Sequence, residues 1–341
     1  TQANNTNYRT YLFWWKMGAK RVVSARELSL EEIRDIRRHI PKEMEIESFV
    51  QGSMCISYSG RCLLSSYFTG RDANRGACTH PCRWKYAVSE EIRPGEYLPV
   101  YENERGTYIF NSKDLCMVEH IPELVEAGID SFKIEGRMKN ALYVATVTRT
   151  YRRAIDDYFE SPDKFKAGME WYQEEISKCT HRHFSTGFYF GKPSEESQIY
   201  DSSTYVNEYI YLGMMEETVE EDRLPWGNGV CGRPAGMQKS YDRKRTFLEC
   251  DREGEETIQT LARFEQRNKF SVGELLEIMK PDGRNVEVTV EALYTEEGEA
   301  VESCPHAKQV LWVKLSAKAE PGDLLRRKGT KTGYEGQPAS V

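Results

Sequence analysis

Residues 20–50 read KRVVSARELSLEEIRDIRRHIPKEMEIESFV, and this stretch decides the fold class. Its apolar pattern predicts one strand at 20–26 and another at 43–50. Between them, residues 28–39 show helical spacing, with Ser29 suited to cap the helix. A strand, a helix and a strand in this order predict a parallel βα unit.

The same rhythm continues towards the C-terminus. A helix is predicted at 119–127, ended by Gly128, and a strand at 129–134 and a long helix at 140–159 follow it. From these patterns alone, a doubly wound sheet and a (β/α)8 barrel both fit. We therefore expect an α/β domain over residues 1–200.

A different pattern begins near residue 204. Short stretches alternate apolar and polar side chains with a period of two, most clearly at 286–292, and turn-forming Pro and Gly separate several of them. This pattern predicts a small antiparallel β-barrel or sandwich over residues 204–328. The last segment, 329–341, is expected to be a flexible tail.

Composition limits the class of protein. The chain has 341 residues, of which 39% are hydrophobic, and this suits roughly two globular domains. The apolar runs are too short for a membrane helix, and the chain opens without a secretion signal, so we expect a cytoplasmic protein with no membrane partner. A net charge of −7 argues against a surface that binds nucleic acid throughout.

Five of the nine cysteines lie in residues 51–118, a segment too long for an ordinary loop between a strand and a helix. They are Cys55, Cys62, Cys78, Cys82 and Cys116. The odd total and the lack of a secretion signal argue against disulfides. The wide, irregular spacing favours an iron–sulfur cluster over a zinc knuckle, and arginines nearby would offset thiolate charge. Buried free thiols are the alternative.

Residues 47–65, ESFVQGSMCISYSGRCLLS, resemble the signature of peptidase family U32, which fixes the spacing of a glutamate, two glycines and two cysteines. The order of elements is most similar to the branch of that family that hydroxylates the wobble uridine of tRNA. Further matching stretches are residues 71–86, 111–124, 130–139, 185–193 and 265–274. The resemblance therefore covers nearly the whole chain.

This resemblance implies a cofactor, a co-substrate and a partner. The cofactor is a [4Fe–4S] cluster held by Cys55, Cys62, Cys78 and Cys116, with Cys82 as the other candidate for the third ligand. The co-substrate is prephenate, the partner is tRNA, and the product is 5-hydroxyuridine.

The resemblance also implies a TIM-type (β/α)8 barrel followed by a small C-terminal β-barrel. Because barrels of this family begin earlier, we expect the sequence to contain only the later strands, with residues 1–4 as the end of the fifth. The first half is then expected either from a missing N-terminal part of the same protein or from a second U32-family subunit.

Charged residues at predicted strand ends are the candidate site residues, because barrel enzymes place their chemistry there. Arg137 suits a substrate carboxylate, and Glu47 or Glu135 suits a general base. The catalytic candidates are Glu47, Lys133, Glu135 and Arg137. The candidates for binding substrate or RNA are Arg26, Arg71, Asn74, Arg83 and Lys139. An ordinary network of ion pairs is the alternative.

Two other functions remain open at this point. One is collagenase-like proteolysis, which the family name implies, although the sequence contains neither H-E-x-x-H nor G-x-S-x-G. The other is a non-catalytic RNA-binding scaffold whose metal cluster is purely structural.

Overall fold

The computed structural model describes residues 3–55, 61–84, 87–89, 97–99, 112–193, 206–220 and 260–329. The chain divides into two compact units. The first covers Thr1–Asn207, and the second covers Glu208–Thr330.

The first unit alternates helices and strands. Its helices are α1 (Tyr8–Lys16), α2 (Leu30–His39), α3 (Leu64–Thr69), α4 (Ile121–Glu126), α5 (Ala141–Glu160), α6 (Pro162–Ala167) and α7 (Met169–Ser177). Its strands are β1 (Arg21–Val23), β2 (Glu45–Ser53), β3 (Ala87–Ser89), β4 (Tyr97–Pro99), β5 (Asp114–Cys116), β6 (Ser131–Ile134) and β7 (Phe184–Ser185). The mixed α/β class expected from residues 20–50 is confirmed.

Local signals explain where several helices begin. Ser29 and Glu32 form a capping box at the start of α2, in which each side chain accepts a hydrogen bond from the other residue's N–H. Helices α1, α3, α6 and α7 are additional to the expected elements. Asn7 caps α1, and Ser161 followed by Pro162 starts α6.

Three parallel strands form the centre of the first sheet. β1 and β6 both pair in parallel with β2, as the strand–helix rhythm predicts. β5 pairs antiparallel with the end of β2, and β7 runs parallel to β5. Within the described residues this five-stranded sheet is not closed, so the TIM-type barrel stays a prediction.

The expected end of a fifth strand falls partly outside the described residues, which exclude Thr1 and Gln2. Residues 3–6 are not in a strand. The Asn5 carbonyl nevertheless accepts a hydrogen bond of 3.1 Å from the Ala25 N–H just beyond β1, so this segment lies against the sheet.

The two faces of β2 have different chemistry. Ile46, Ser48 and Val50 are fully buried on one face. There the Ser48 hydroxyl lies 2.6 Å from that of Ser24, which satisfies both buried hydroxyls. Glu45 and Glu47 lie on the opposite face and are partly exposed. One face of β2 therefore builds the core, while the other presents charge.

Gly52 is where β2 comes closest to the segment after β6. Its φ of +119° is costly for any residue with a Cβ. A Cβ at Gly52 would also lie 2.6 Å from the Glu135 carbonyl oxygen and 2.7 Å from the Glu135 Cβ. The position therefore needs glycine for both backbone angle and space.

A buried cluster of charges joins α5 to α7. Glu175 is completely buried and accepts hydrogen bonds from Arg149 and from Lys178, the latter at 2.6 Å. The Arg149 and Lys178 side chains are only 5% and 9% exposed. Because water screens these ions poorly, the shared Glu175 carboxylate offsets much of the charge of both cations, and Lys178 pairs in addition with the exposed Glu174 at 2.8 Å.

The second unit contains β-strands and no helix in its described residues, 208–220 and 260–329. Its strands are β8 (Tyr209–Glu220), β9 (Thr260–Glu265), β10 (Leu275–Met279), β11 (Asn285–Tyr294), β12 (Ala300–Val301), β13 (Val310–Leu315) and β14 (Leu324–Lys328). Antiparallel pairing runs from β10 through β14, β8, β9, β13 and β11, and β11 pairs again with β10. Six strands therefore close a ring, which favours the predicted barrel over a sandwich.

Within the described ranges, no helix has both the length and the apolar character needed to cross a bilayer.

We expect Glu175→Gln to lower the free energy of unfolding by about 3 kcal/mol, because it removes the buried carboxylate that Arg149 and Lys178 share, and Lys178 keeps only its pair with the exposed Glu174 in compensation. The measurement is urea denaturation followed by circular dichroism. Arg152→Ala is the control, since Arg152 and Asp156 form an ion pair that is 60% and 63% exposed, and it should cost less than about 1 kcal/mol. Equal effects of the two substitutions would contradict the prediction.

Gly52→Ala should destabilise the protein by at least about 3 kcal/mol, since backbone strain and a clash with backbone atoms add together. Gly18→Ala is a matched control: Gly18 has φ +92°, but no atom lies within 4 Å of a Cβ there. Strain alone should then cost about 1 kcal/mol. Thermal unfolding of both variants measures the difference, and similar melting temperatures would show that the Glu135 contact is not tight.

Candidate active site at the ends of the parallel strands

Glu47 is the centre of a charged network on the exposed face of β2. Its carboxylate accepts hydrogen bonds from Lys133 Nζ at 2.8 Å, from Ser131 Oγ at 3.1 Å and from Arg21 Nη1 at 3.2 Å. The partners lie on β1 and β6, the two parallel neighbours of β2. The network therefore joins all three parallel strands.

These contacts set the protonation state of Glu47. Burial by itself would raise the pKa of Glu47, but the hydrogen bonds from Lys133, Ser131 and Arg21 outweigh it, and the net effect lowers the pKa. Glu47 is therefore ionised at neutral pH and is a weak proton acceptor. Its hydrogen bond from the Lys133 ammonium suits Glu47 to hold that side chain in position.

Arg26 and Glu135 form a second charged pair beyond the strands. Arg26 Nη2 lies 3.4 Å from Glu135 Oε2, and the Arg26 side chain is only 14% exposed. The Arg26 guanidinium also lies 3.8 Å from the centre of the Phe49 ring, and Lys133 Nζ lies 5.5 Å from the same centre. Two cations therefore lie over the Phe49 ring, whose π-electrons attract them.

Arg137 connects the strand ends to the cysteine-rich segment. Its N–H donates to Glu135 Oε1 at 3.3 Å, and its side chain is exposed. A Cβ at Gly76 would lie 2.8 Å from Arg137 Nη1. The guanidinium therefore lies directly against the turn at Gly76.

A cleft of about 880 Å³ opens beside these residues. Arg26 and Glu27 line it from the end of β1, and Met54 and Cys55 line it from the end of β2. Lys192 contributes from the loop after β7. This is the edge of a parallel sheet at which ligands bind in α/β proteins. Among the predicted residues, the structure brings Arg26 and Cys55 together here.

The cysteine-rich segment is held together by hydroxyl groups. The Thr79 N–H donates to Ser65 Oγ at 3.0 Å, and the two hydroxyl oxygens are also 3.0 Å apart. Ser65 is fully buried in α3, which begins just after Cys62, and Thr79 follows Cys78. The Ser65–Thr79 contact therefore fixes two cysteine-bearing stretches to one another. Ser65 is the last position of the 47–65 stretch that resembles the family signature, and Thr79 lies in the matching stretch 71–86, but sequence analysis predicted no contact between them.

The described residues do not gather the predicted cluster ligands. Cys55, Cys62, Cys78, Cys82 and Cys116 form no disulfides and are all partly buried. Three thiols or more would suit iron or zinc as donors, but no such group is assembled in the described part of the chain. The ligand set therefore stays a prediction.

Cys116 differs from a reactive thiol. Burial raises the pKa of its thiol to about 11, so the metal-free form is protonated at neutral pH. Coordination to a metal would reverse this shift, because a bound cation deprotonates a thiol.

The remaining predicted residues have different surroundings. Arg71 is exposed. Lys139 is largely buried, donates to the Thr180 carbonyl at 2.9 Å, and lies 3.9 Å from the buried Asp114 carboxylate. The side chains of Asn74 and Arg83 lie outside the described residues. The binding roles of all four stay predictions.

The chain is similar to two bacterial proteins named for tRNA hydroxylation. It is 35% identical to tRNA hydroxylation protein P1 of Bacillus subtilis (strain 168) over 327 residues, which span 96% of this chain and 68% of that protein. It is 34% identical to tRNA hydroxylation protein P of Escherichia coli (strain K12) over 358 residues, which span 94% of this chain and 70% of that protein.

A third relative has a different name. A collagenase of Porphyromonas gingivalis (strain ATCC BAA-308 / W83) is 34% identical over 222 residues, which span 62% of this chain and 52% of that protein.

Family models match both units. The model described as peptidase family U32 matches residues 1–199, and the model of the peptidase family U32 C-terminal domain matches residues 250–326. The first match alone covers more than half of the chain and includes the charged strand ends, the cleft and all five clustered cysteines. The chain belongs to peptidase family U32.

Proposed function

We propose that this protein is a tRNA hydroxylase that converts the wobble uridine to 5-hydroxyuridine with prephenate as co-substrate. One observation carries the proposal: the similarity to two proteins named for tRNA hydroxylation extends over at least 94% of the chain. That similarity includes both the strand-end site and the second unit, whereas the similarity to the collagenase covers only 62% of the chain.

Arg26 is the residue that suits an anionic co-substrate, in a cleft that Glu27, Glu31 and Glu32 also line. Arg26 lines the cleft, and its guanidinium is held in one orientation by the Phe49 ring and by Glu135. A positioned guanidinium can bind a carboxylate through two parallel hydrogen bonds. We propose that Arg26 binds a carboxylate of prephenate.

Glu47 and Lys133 have a supporting role in this proposal. Their 2.8 Å ion pair keeps the Lys133 ammonium 5.5 Å from the centre of the Phe49 ring, against which the Arg26 guanidinium also packs. Glu47 stays ionised and holds Lys133 in place.

We further propose that Cys55, Cys62, Cys78 and Cys116 bind a [4Fe–4S] cluster. Its support is the donor type and the coupling of the Cys62 and Cys78 stretches through Ser65 and Thr79. When bound, such a cluster supplies one-electron transfer or holds the segment in shape.

Loss of the gene should remove 5-hydroxyuridine derivatives from tRNA, as measured by mass spectrometry of nucleosides. The wild-type gene should restore them. A gene carrying Arg26→Gln should restore them to at most about a tenth of the wild-type amount, because the carboxylate contact is lost. Arg152→Ala, a substitution on the exposed side of α5, is the control and should restore them fully.

Unchanged tRNA after loss of the gene would contradict the proposed function. Cleavage of collagen by the purified protein, together with unchanged tRNA, would favour the peptidase. Restoration by Arg26→Gln at the wild-type level would remove Arg26 from the site.

Protein reconstituted with iron and sulfide under anaerobic conditions should be brown and hold about four iron atoms per chain. Cys55→Ser and Cys116→Ser should lower the iron content, whereas Cys304→Ala should not, since Cys304 is buried in the core of the second unit. A colourless protein that binds only zinc would rule out the cluster.

A further inference from the structure

Three aromatic rings are exposed together on the cysteine-rich segment. Tyr67, Phe68 and Trp84 are 83%, 47% and 44% exposed. The ring centres of Tyr67 and Phe68 are 5.1 Å apart, and those of Phe68 and Trp84 are 6.1 Å apart. These three residues are called the aromatic face below. A contiguous exposed apolar patch of this kind marks an interaction surface.

The aromatic face is built on a fixed support. Tyr67 and Phe68 lie on α3, which ends at Gly70 in the left-handed conformation. Trp84 follows the short turn at Pro81–Arg83, which the Ser65–Thr79 contact ties back to α3. Rings from two separate stretches are therefore held beside one another before any ligand arrives, and this lowers the entropy lost on binding.

The charge around the rings favours a polyanion. Residues 61–84 contain four arginines and a single acidic residue, Asp72, in a chain whose net charge is −7. Arg61, Arg71 and Arg75 are exposed, and the Arg75 side chain is 87% exposed despite a contact of 3.8 Å to Asp72. This local excess of arginine suits the phosphates of a nucleic-acid backbone.

We propose that the aromatic face is a stacking platform for unpaired RNA bases, with Arg61, Arg71 and Arg75 as phosphate contacts. Every base offers a flat face that can stack on an aromatic ring, and cations alongside can track the backbone. This inference rests on the proposed function, because tRNA then supplies the unpaired bases of its anticodon loop.

The position of the face agrees with that substrate. The turn at Gly76, within the same segment, lies against Arg137 from the loop after β6. The platform is therefore carried by a segment that contacts the strand-end site.

The test measures binding of a fluorescent anticodon stem–loop with an unmodified wobble uridine by anisotropy. Tyr67→Ala and Trp84→Ala should each weaken binding roughly tenfold, because each removes one stacking partner. For these two variants, the slope of the logarithm of the binding constant against the logarithm of the salt concentration should stay that of the wild type. Arg71→Gln should instead reduce that slope by about 0.7, which is the contribution of one phosphate contact on a single strand.

Two controls accompany these variants. Phe159→Ala removes a ring that is 68% exposed on α5 and should leave affinity unchanged. A fully paired RNA duplex offers no unpaired base, so its affinity should be the same for Trp84→Ala and wild type. Thermal unfolding of each variant confirms that the fold is intact.

Unchanged affinity of both ring variants for the stem–loop would overturn the proposal, and so would an equal loss on the paired duplex. Unchanged RNA affinity together with the loss of a co-purifying protein would make the face a protein interface instead. If ring variants lose RNA binding while tRNA modification does not depend on the gene, the platform stands and the proposed function fails. If tRNA modification depends on the gene but the ring variants bind RNA like the wild type, the proposed function stands and the platform is overturned.

Discussion

The contact between Gly52 and Glu135 is the constraint on which the site depends. With no Cβ at Gly52, the end of β2 reaches the backbone that follows β6. Glu135 is then in position for Arg26, and Arg137, two residues further on, meets the turn at Gly76. The second charged pair and the contact to the cysteine-rich segment therefore both lie within two residues of this close approach.

Much of the fold could be predicted because its signals are local. The capping box at Ser29, the left-handed Gly128 after α4 and the alternation along β11 can all be recognised in a few neighbouring residues. Charged residues after buried strands likewise indicated Arg26 and Glu135 as site residues. Their pairing was not predictable, because it joins positions 109 residues apart.

The features that sequence analysis missed depend on long-range packing. β5 is only three residues long and is stabilised as a strand by antiparallel pairing to the end of β2. The Ser65–Thr79 contact and the buried Asp114 beside Lys139 leave no periodic pattern in the sequence. Tyr67 and Phe68 look like ordinary core residues in the sequence, and only their exposure in the structure distinguishes them.

The closed ring of the second unit has a consequence for the order in which the protein folds. β14 lies between β8 and β10 in the ring, yet it is the last of the ring's six strands along the chain. During synthesis, β8 therefore waits with one edge unpaired until more than a hundred residues have followed it. Because contacts this distant in sequence form slowly, this unit should be the later of the two to fold. It should also depend more than the first unit on protection of its unpaired strand edge during synthesis.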